Sequence, residues 1–269
     1  MGVIRGFFLV IVSVLLFLSI FSVILFNVLT SSLTYDNVEK QSFSIAHNFL
    51  QKDGNLTQTI SKNYPYLEIY CQNNSEYVFN AEGYAVTIPC TNVTKSQDEF
   101  INAAIISLTK QIYYAPYNCN FIDCFKSGEV PVFLISKHTY DFFNGKLILF
   151  SIISFILSIL LFLLVEKKAN SFLLLGIFSI ISSLPFFKLD IWLNSISNQM
   201  IAQSVDLFLS QAFSIALGFL VLGIVLVITS IVWKIFNLGF LISNLISKFT
   251  GKKELTKNNI KKSSKPKSK

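Results

Sequence analysis

The chain has 269 residues, of which 52% are hydrophobic and 27 are phenylalanine, and it carries a formal net charge of +7. Soluble domains reach about half apolar residues only when glycine is included, so this composition excludes an ordinary soluble protein and makes lipid a partner. The cysteines are segregated from the densest positive charge: Cys71, Cys90, Cys119 and Cys124 all lie between the first and second apolar runs, whereas the densest lysine cluster follows Trp233.

Uncharged apolar runs extend over Phe7–Phe26, Leu147–Val165, Ser171–Phe187 and Ala212–Trp233. Each approaches the ~20 residues that a helix needs to cross ~30 Å of hydrocarbon. The fold class expected is an α-helical multi-pass membrane protein with four transmembrane helices and a small α+β extracytoplasmic domain between the first and second. The third run is short, with Pro185 near its end; proline there is expected to stop the helix at the boundary, a buried or re-entrant segment being the alternative. The first run exceeds a signal-peptide core and no Ala-x-Ala site follows, which favours an uncleaved anchor over a cleaved leader.

Arg5 precedes the first run, Lys167 and Lys168 join the second to the third, and eight lysines fall between Lys252 and Lys269. Positive residues on short flanks favour the inner side, which predicts a plasma-membrane protein with both termini cytoplasmic. The chain then divides into an N-terminus with the first helix (1–29), an extracytoplasmic domain (30–146) and helices two to four (147–233). The last part includes an outer amphipathic connection (188–211). A cytoplasmic amphipathic helix (234–250) and a disordered lysine-rich tail (251–269) follow.

In the outer domain, apolar positions from Val38 to Leu50 suit a helix ended by Asp53-Gly54. Alternation over Tyr66–Cys71 predicts a strand, and Tyr77–Phe79 with Tyr84–Ile88 predicts a hairpin around Asn80-Ala81-Glu82-Gly83. Ser96-Gln97-Asp98-Glu99 is a capping box. The helix it opens places Phe100, Ile101, Ala104, Ile105, Leu108 and Ile112 on a core-facing stripe. Val130–Ile135 reads as a further strand.

Four cysteines in an exported segment point to disulfides. Local closure favours Cys71 with Cys90 and Cys119 with Cys124, although three pairings are possible. A zinc site built from the same cysteines with His47 or His138 is the rival, but paired Cys-x2-Cys units are absent. Sequons at Asn55, Asn73 and Asn92 are glycosylation candidates, in a segment rich enough in Asn, Ser and Thr to produce them by chance.

No ionisable residue interrupts the four runs, which argues against a pump or coupled transporter. Ser151, Ser154 and Ser158, then Gly176, Ser179 and Ser183, then Ser214 and Gly218, form small-residue stripes suited to helix packing. The connection around Trp192 is suited to lie on the outer membrane surface or to extend the fourth span, and Ile235, Leu238, Ile242, Leu245 and Phe249 give the following helix one apolar seam. In the tail, Lys252, Lys253, Lys257, Lys261 and Lys262 are lipid-binding candidates, anionic lipid being the partner expected beyond their role in setting topology. Nucleic acid is not expected, because no aromatics interleave the lysines.

Neither His47 nor His138 sits in a hydrolase or metalloprotease motif, and no phosphate loop or calcium loop occurs. The cluster Lys137-His138-Thr139-Tyr140-Asp141 is the nearest approach to a polar site. The four-span layout with a large cysteine-bearing first loop is similar in outline to claudin-like proteins. Their Trp-containing motif with two nearby cysteines is absent and the loop here is longer, so no family is assigned. The function expected is a noncatalytic membrane protein, with no enzyme activity or cofactor, that anchors an extracytoplasmic interaction domain for an unidentified protein partner in the envelope or a membrane complex. A sensor or receptor acting through a cytoplasmic partner is the alternative.

Overall fold

The computed structural model describes residues 3–52, 54–81, 84–126, 133–187 and 208–236. Among the described residues four helices are long and apolar enough to cross a membrane: Ile4–Ser32, Lys137–Leu164, Lys168–Phe187 and Ala212–Phe236. Helix is the expected outcome for such runs, since it satisfies every main-chain polar group within the segment when lipid offers no partner. We label them α1 (Val3–Ser32), α7 (Lys137–Leu164), α8 (Lys168–Ser183) and α9 (Ala212–Phe236). Pro185 lies in a 3-10 turn, Leu184–Phe187, that ends α8, as its position in the sequence suggests. The second helix starts ten residues before the uncharged run, because the Ser136 hydroxyl caps it by accepting from the Thr139 N–H at 3.4 Å.

Helix α1 is the spine of the bundle. Val12, Leu16, Ile20, Ile24 and Val28 are buried at every fourth residue, a single ridge packed with Leu161, Val165, Phe186, Ala212 and Ala216. Its other faces, including Phe7, Val10, Val14 and Leu18, are left exposed as a lipid-facing surface would be. Helices α8 and α9 meet through glycine: a Cβ added at Gly176 would lie 2.7 Å from the Gly223 carbonyl oxygen, and one at Gly223 would lie 2.8 Å from that of Gly176. Across this close approach Ser179 Oγ donates to the Phe219 carbonyl at 2.8 Å, and Ser230 Oγ donates to that of Ala169 at 2.5 Å.

The stripe on α8 is therefore buried as its spacing suggests, but Ser214 and Gly218 on α9 are exposed. Ala212, Ala216, Gly223 and Ser230 face inward instead. Two residues along a helix is about 200° of rotation, so the small residues at 214 and 218 occupy the far side. On α7, Ser151 is exposed and Ser158 Oγ donates to the Ser154 carbonyl of its own helix.

At one end of the bundle Arg5 Nε donates to the Leu164 carbonyl at 2.8 Å, and its Nη1 lies 3.3 Å from Glu166. Lys168 Nζ donates to the Phe162 carbonyl at 2.6 Å while sitting 4.7 Å from the Phe162 ring centroid. The start of α1, the end of α7 and the start of α8 are thus level, with Arg5 supplied by α1 and Lys168 by α8.

Between α1 and α7 lie α2 (Tyr35–Lys52), α3 (Gly54–Asn73), β1 (Glu76–Ala81), β2 (Tyr84–Pro89), α4 (Cys90–Val93), α5 (Gln97–Tyr113) and α6 (Phe121–Lys126). Helix α2 is described as far as Lys52 and α3 from Gly54, while Asp53, in the expected helix end Asp53-Gly54, lies outside the described residues. The hairpin is present, antiparallel from Glu76↔Pro89 to Ala81↔Tyr84. Ser96 caps α5, its hydroxyl accepting from the Glu99 N–H at 3.2 Å.

One expected strand is not a strand, and of a second only the last three residues are described, none of them in a strand. Tyr66–Cys71 belongs to α3, where Tyr64, Leu67 and Cys71 turn toward the core of Val86, Ile88, Cys90 and Val93, while Tyr66, Ile69 and Tyr70 are exposed. Spacing of three and four governs the inward positions, and the apparent alternation at 67, 69 and 71 is the ambiguity of a short apolar run. In the other, residues 127–132 lie outside the described set, whereas Phe133 and Leu134 are helical and Ile135 is a turn. Phe133 is fully buried, and its carbonyl accepts from both the Ser136 N–H and Thr139 Oγ1, so this segment serves as the cap of α7.

Candidate functional site

The side chains capable of chemistry are scattered. His47 Nε2 lies 3.1 Å from Asn102 Oδ1 and its ring stacks on Phe43, a contact that ties α2 to α5. His138 sits among rings, 5.8 Å from Phe133 and 6.3 Å from Tyr117. Neither contact pairs a histidine with a nucleophile. The polar cluster from Lys137 to Asp141 is the first turn of α7: Thr139 is buried in the cap, and Lys137 and Asp141 form an exposed pair at 4.0 Å. Among the described residues no three His, Cys, Asp or Glu side chains converge as a metal site would require.

The cysteines are placed in pairs. Cys71, near the end of α3, faces Cys90 at the start of α4 with Cα atoms 5.1 Å apart; Cys119 and Cys124 are separated by 5.6 Å. Both separations lie in the usual disulfide range. The first pair joins two elements of one core, which also holds the Tyr64 hydroxyl donating to the Val93 carbonyl. The second closes the loop that presents Phe121, whose ring stacks on Phe142 of α7 at 4.2 Å and packs on Phe133 and Phe143.

Among the described residues, an organised polar group lies where the inserted segment meets the bundle. Asn37 Nδ2 donates to the Ser32 carbonyl and to Ser210 Oγ, both at 2.7 Å. Its Oδ1 accepts from Gln211 Nε2 at 3.2 Å, and the Gln211 N–H donates to Ser32 Oγ at 3.3 Å. One asparagine at the start of α2 thereby bridges the end of α1 to the entry of α9. Beside it the Tyr113 hydroxyl donates to the Leu33 carbonyl at 2.9 Å, anchoring the C-terminus of α5 on the same corner.

Tyr113 packs on Leu33 and Val38 and meets the rings of Tyr35 and Tyr114 at 5.4 Å and 5.0 Å. Burial disfavours the phenolate, so the Tyr113 pKa is raised well above the ordinary tyrosine value. That of Tyr35 is pushed up to about 12 by burial and by its hydrogen bond to Glu39. Both phenols are held as neutral donors. The corner ties α1, α2, α5 and the entry of α9 together.

Of the sequence candidates, Asn73 is exposed at the end of α3, Asn92 is half-buried on α4, and Asn55 falls within α3. Lys252, Lys253, Lys257, Lys261 and Lys262 lie outside the described residues, as do most of the 188–211 connection and nearly all of the seam helix. The sequence reading missed the joint: Ser32, Asn37, Ser210 and Gln211 are ordinary polar residues far apart in the chain. The only hint was that they flank apolar runs. Compared with protein families, with curated proteins and with solved structures, the chain matches none.

Proposed function

We propose that this is a noncatalytic component of the plasma membrane or its envelope, whose four helices anchor residues 30–146 as an extracytoplasmic interaction module. The observation that carries the reading is the joint: Asn37, Gln211 and Tyr113 fasten the inserted segment to both α1 and α9. A module so fastened presents its surface at a fixed attitude to the bilayer, as an anchored binding domain must. Arg5, Lys167 and Lys168 at the opposite end support a cytoplasmic location for that end by the positive-inside tendency. The paired cysteines then fall on the oxidising side.

In this reading Asn73, which is exposed, is a glycan acceptor, and the lysines beginning at Lys252 and Lys253 meet anionic lipid at about 1 kcal/mol each when near the surface. The bridge from Asn37 to Gln211 also favours a second reading, in which a ligand on the outer module shifts α9 and signals to a cytoplasmic partner. A membrane-impermeant lysine crosslinker applied to intact cells tests the first reading. Neighbouring proteins should be joined through Lys40, Lys62, Lys95 or Lys110, all of which are exposed. Neighbours joined only from the cytoplasmic face would contradict it.

A further inference from the structure

The two free edges of the hairpin are treated differently. Along β2, Ser107 Oγ of α5 donates to the Thr87 carbonyl at 3.1 Å and Gln111 Nε2 donates to that of Ala85. Those carbonyls therefore point away from β1. In an antiparallel pair, residues directly opposite one another share this alternation. Val78, opposite Thr87, and Asn80, opposite Ala85, accordingly turn their own N–H and C=O groups outward, and Glu76 follows in the same phase. The outward groups of Glu76 and Val78 meet no partner among the described residues.

Natural edge strands are normally defended by lysine, proline, a bulge or a covering element. Strand β1 reads Glu-Tyr-Val-Phe-Asn-Ala, and its register with β2 is unbroken over all six residues. Its surroundings are apolar and open. Val78 is 52% exposed and Phe79 47%. Helix α3, which touches β1 through Tyr70 and Tyr77, leaves Tyr66 72% and Ile69 61% exposed.

We propose that the β1 edge is an interface between two copies of this chain, pairing antiparallel about a two-fold axis at Val78 to make one four-stranded sheet. Three features favour a second copy as the occupant. The two-fold satisfies the outward main-chain groups of both strands reciprocally, as an isologous contact requires. It sets Glu76, the only charge in the strand, opposite Asn80 of the partner subunit and not opposite another carboxylate. Tyr70, packed on Tyr77 of β1, and its exposed neighbours Tyr66 and Ile69 supply apolar surface beside the new strand pair. This interface rests on the reading of the module as a binding domain, and that reading is tested separately by its sidedness.

The experiment uses the full chain in detergent, with mass measured by light scattering. The wild type should be a dimer of the 30.4 kDa chain. Val78→Pro should be monomeric with its native disulfides intact, because the N–H it removes faces outward and takes no part in the β1–β2 ladder. Val78→Cys should form a disulfide-linked dimer on oxidation: paired Cα atoms at the axis would be about 5.5 Å apart, within bridging reach. All four native cysteines are already paired, so the new thiol has no internal competitor. A monomeric wild type overturns the proposal, even one that binds a different chain along β1, as does a dimer that survives Val78→Pro. Should Val78→Pro fail to fold, Val78→Cys decides: a linked dimer supports the interface and an unlinked one refutes it.

Discussion

The spanning bundle and the inserted segment solve the same problem with different forces. Within the bundle, a ridge repeating every four residues on α1 and a glycine-to-glycine approach between α8 and α9 bring main chains close together. Between apolar helices in lipid, packing and a few serine-to-carbonyl bonds are the available glue. The inserted segment has a small core, centred on Val86, Ile88 and Val93, and adds covalent pairs, a helix cap and side-chain bonds to a strand edge. A domain short of apolar surface gains most from crosslinks that restrict its unfolded chain.

This contrast is broken most severely by removing the first crosslink. Cys71→Ser with Cys90→Ser should cost the inserted segment about 2 to 4 kcal/mol. Limited proteolysis should then cleave between α2 and α5 while the spanning helices stay protected; simultaneous loss of the bundle would show that the two regions are one cooperative unit. Next in size is Gly223→Leu, which forces a side chain against the Gly176 carbonyl and should lower stability by about 1 to 3 kcal/mol, as overpacking does. Gly218→Leu, where nothing lies within 4 Å, should change the melting temperature in detergent little.

A cut through the joint sharpens the comparison further. Asn37→Ala leaves Gln211 and Ser210 without their partner and should cost about 1 to 3 kcal/mol. Hydrogen exchange should rise at the start of α2 and the entry of α9 together. Exchange confined to α2 would mean that Asn37 does not couple them. The smallest effect is one of pH. Tyr35 keeps its proton to about pH 12 in the folded chain, whereas an unfolded tyrosine loses it near 10. The folded state therefore binds more protons in that interval, and its stability should be unchanged below about pH 10 and fall as pH rises from there. Tyr35→Phe should flatten this decline in a thermal melt.

The bundle was legible in the sequence because an uncharged run of sufficient length has one structural outcome in lipid. Even the place where α8 stops could be read from Pro185. Which face of α9 turns inward was not, since Ser214 and Gly218 compete with Ala216 and Gly223 and only the neighbouring helix decides. In the inserted segment, the cap at Ser96, the hairpin and the local cysteine pairs were readable from short-range chemistry. Helix α3 was not: six residues around Ile69 satisfy a period of two almost as well as one of 3.6, and the burial of Tyr64 and Leu67 against β2 and α5 settles the matter only in the folded chain. The joint was least visible, because it consists of single polar side chains brought together from positions 32, 37, 113 and 211.

The central claim, that the disulfide-bearing segment faces outward while the lysine-rich end stays inside, is tested most directly by accessibility in intact cells. After mild reduction, a membrane-impermeant maleimide should label Cys71, Cys90, Cys119 and Cys124, and external protease should remove the segment between α1 and α7 but spare a tag placed after Lys269. Labelling of those cysteines only after the membrane is opened, with the tag exposed outside, would contradict the account.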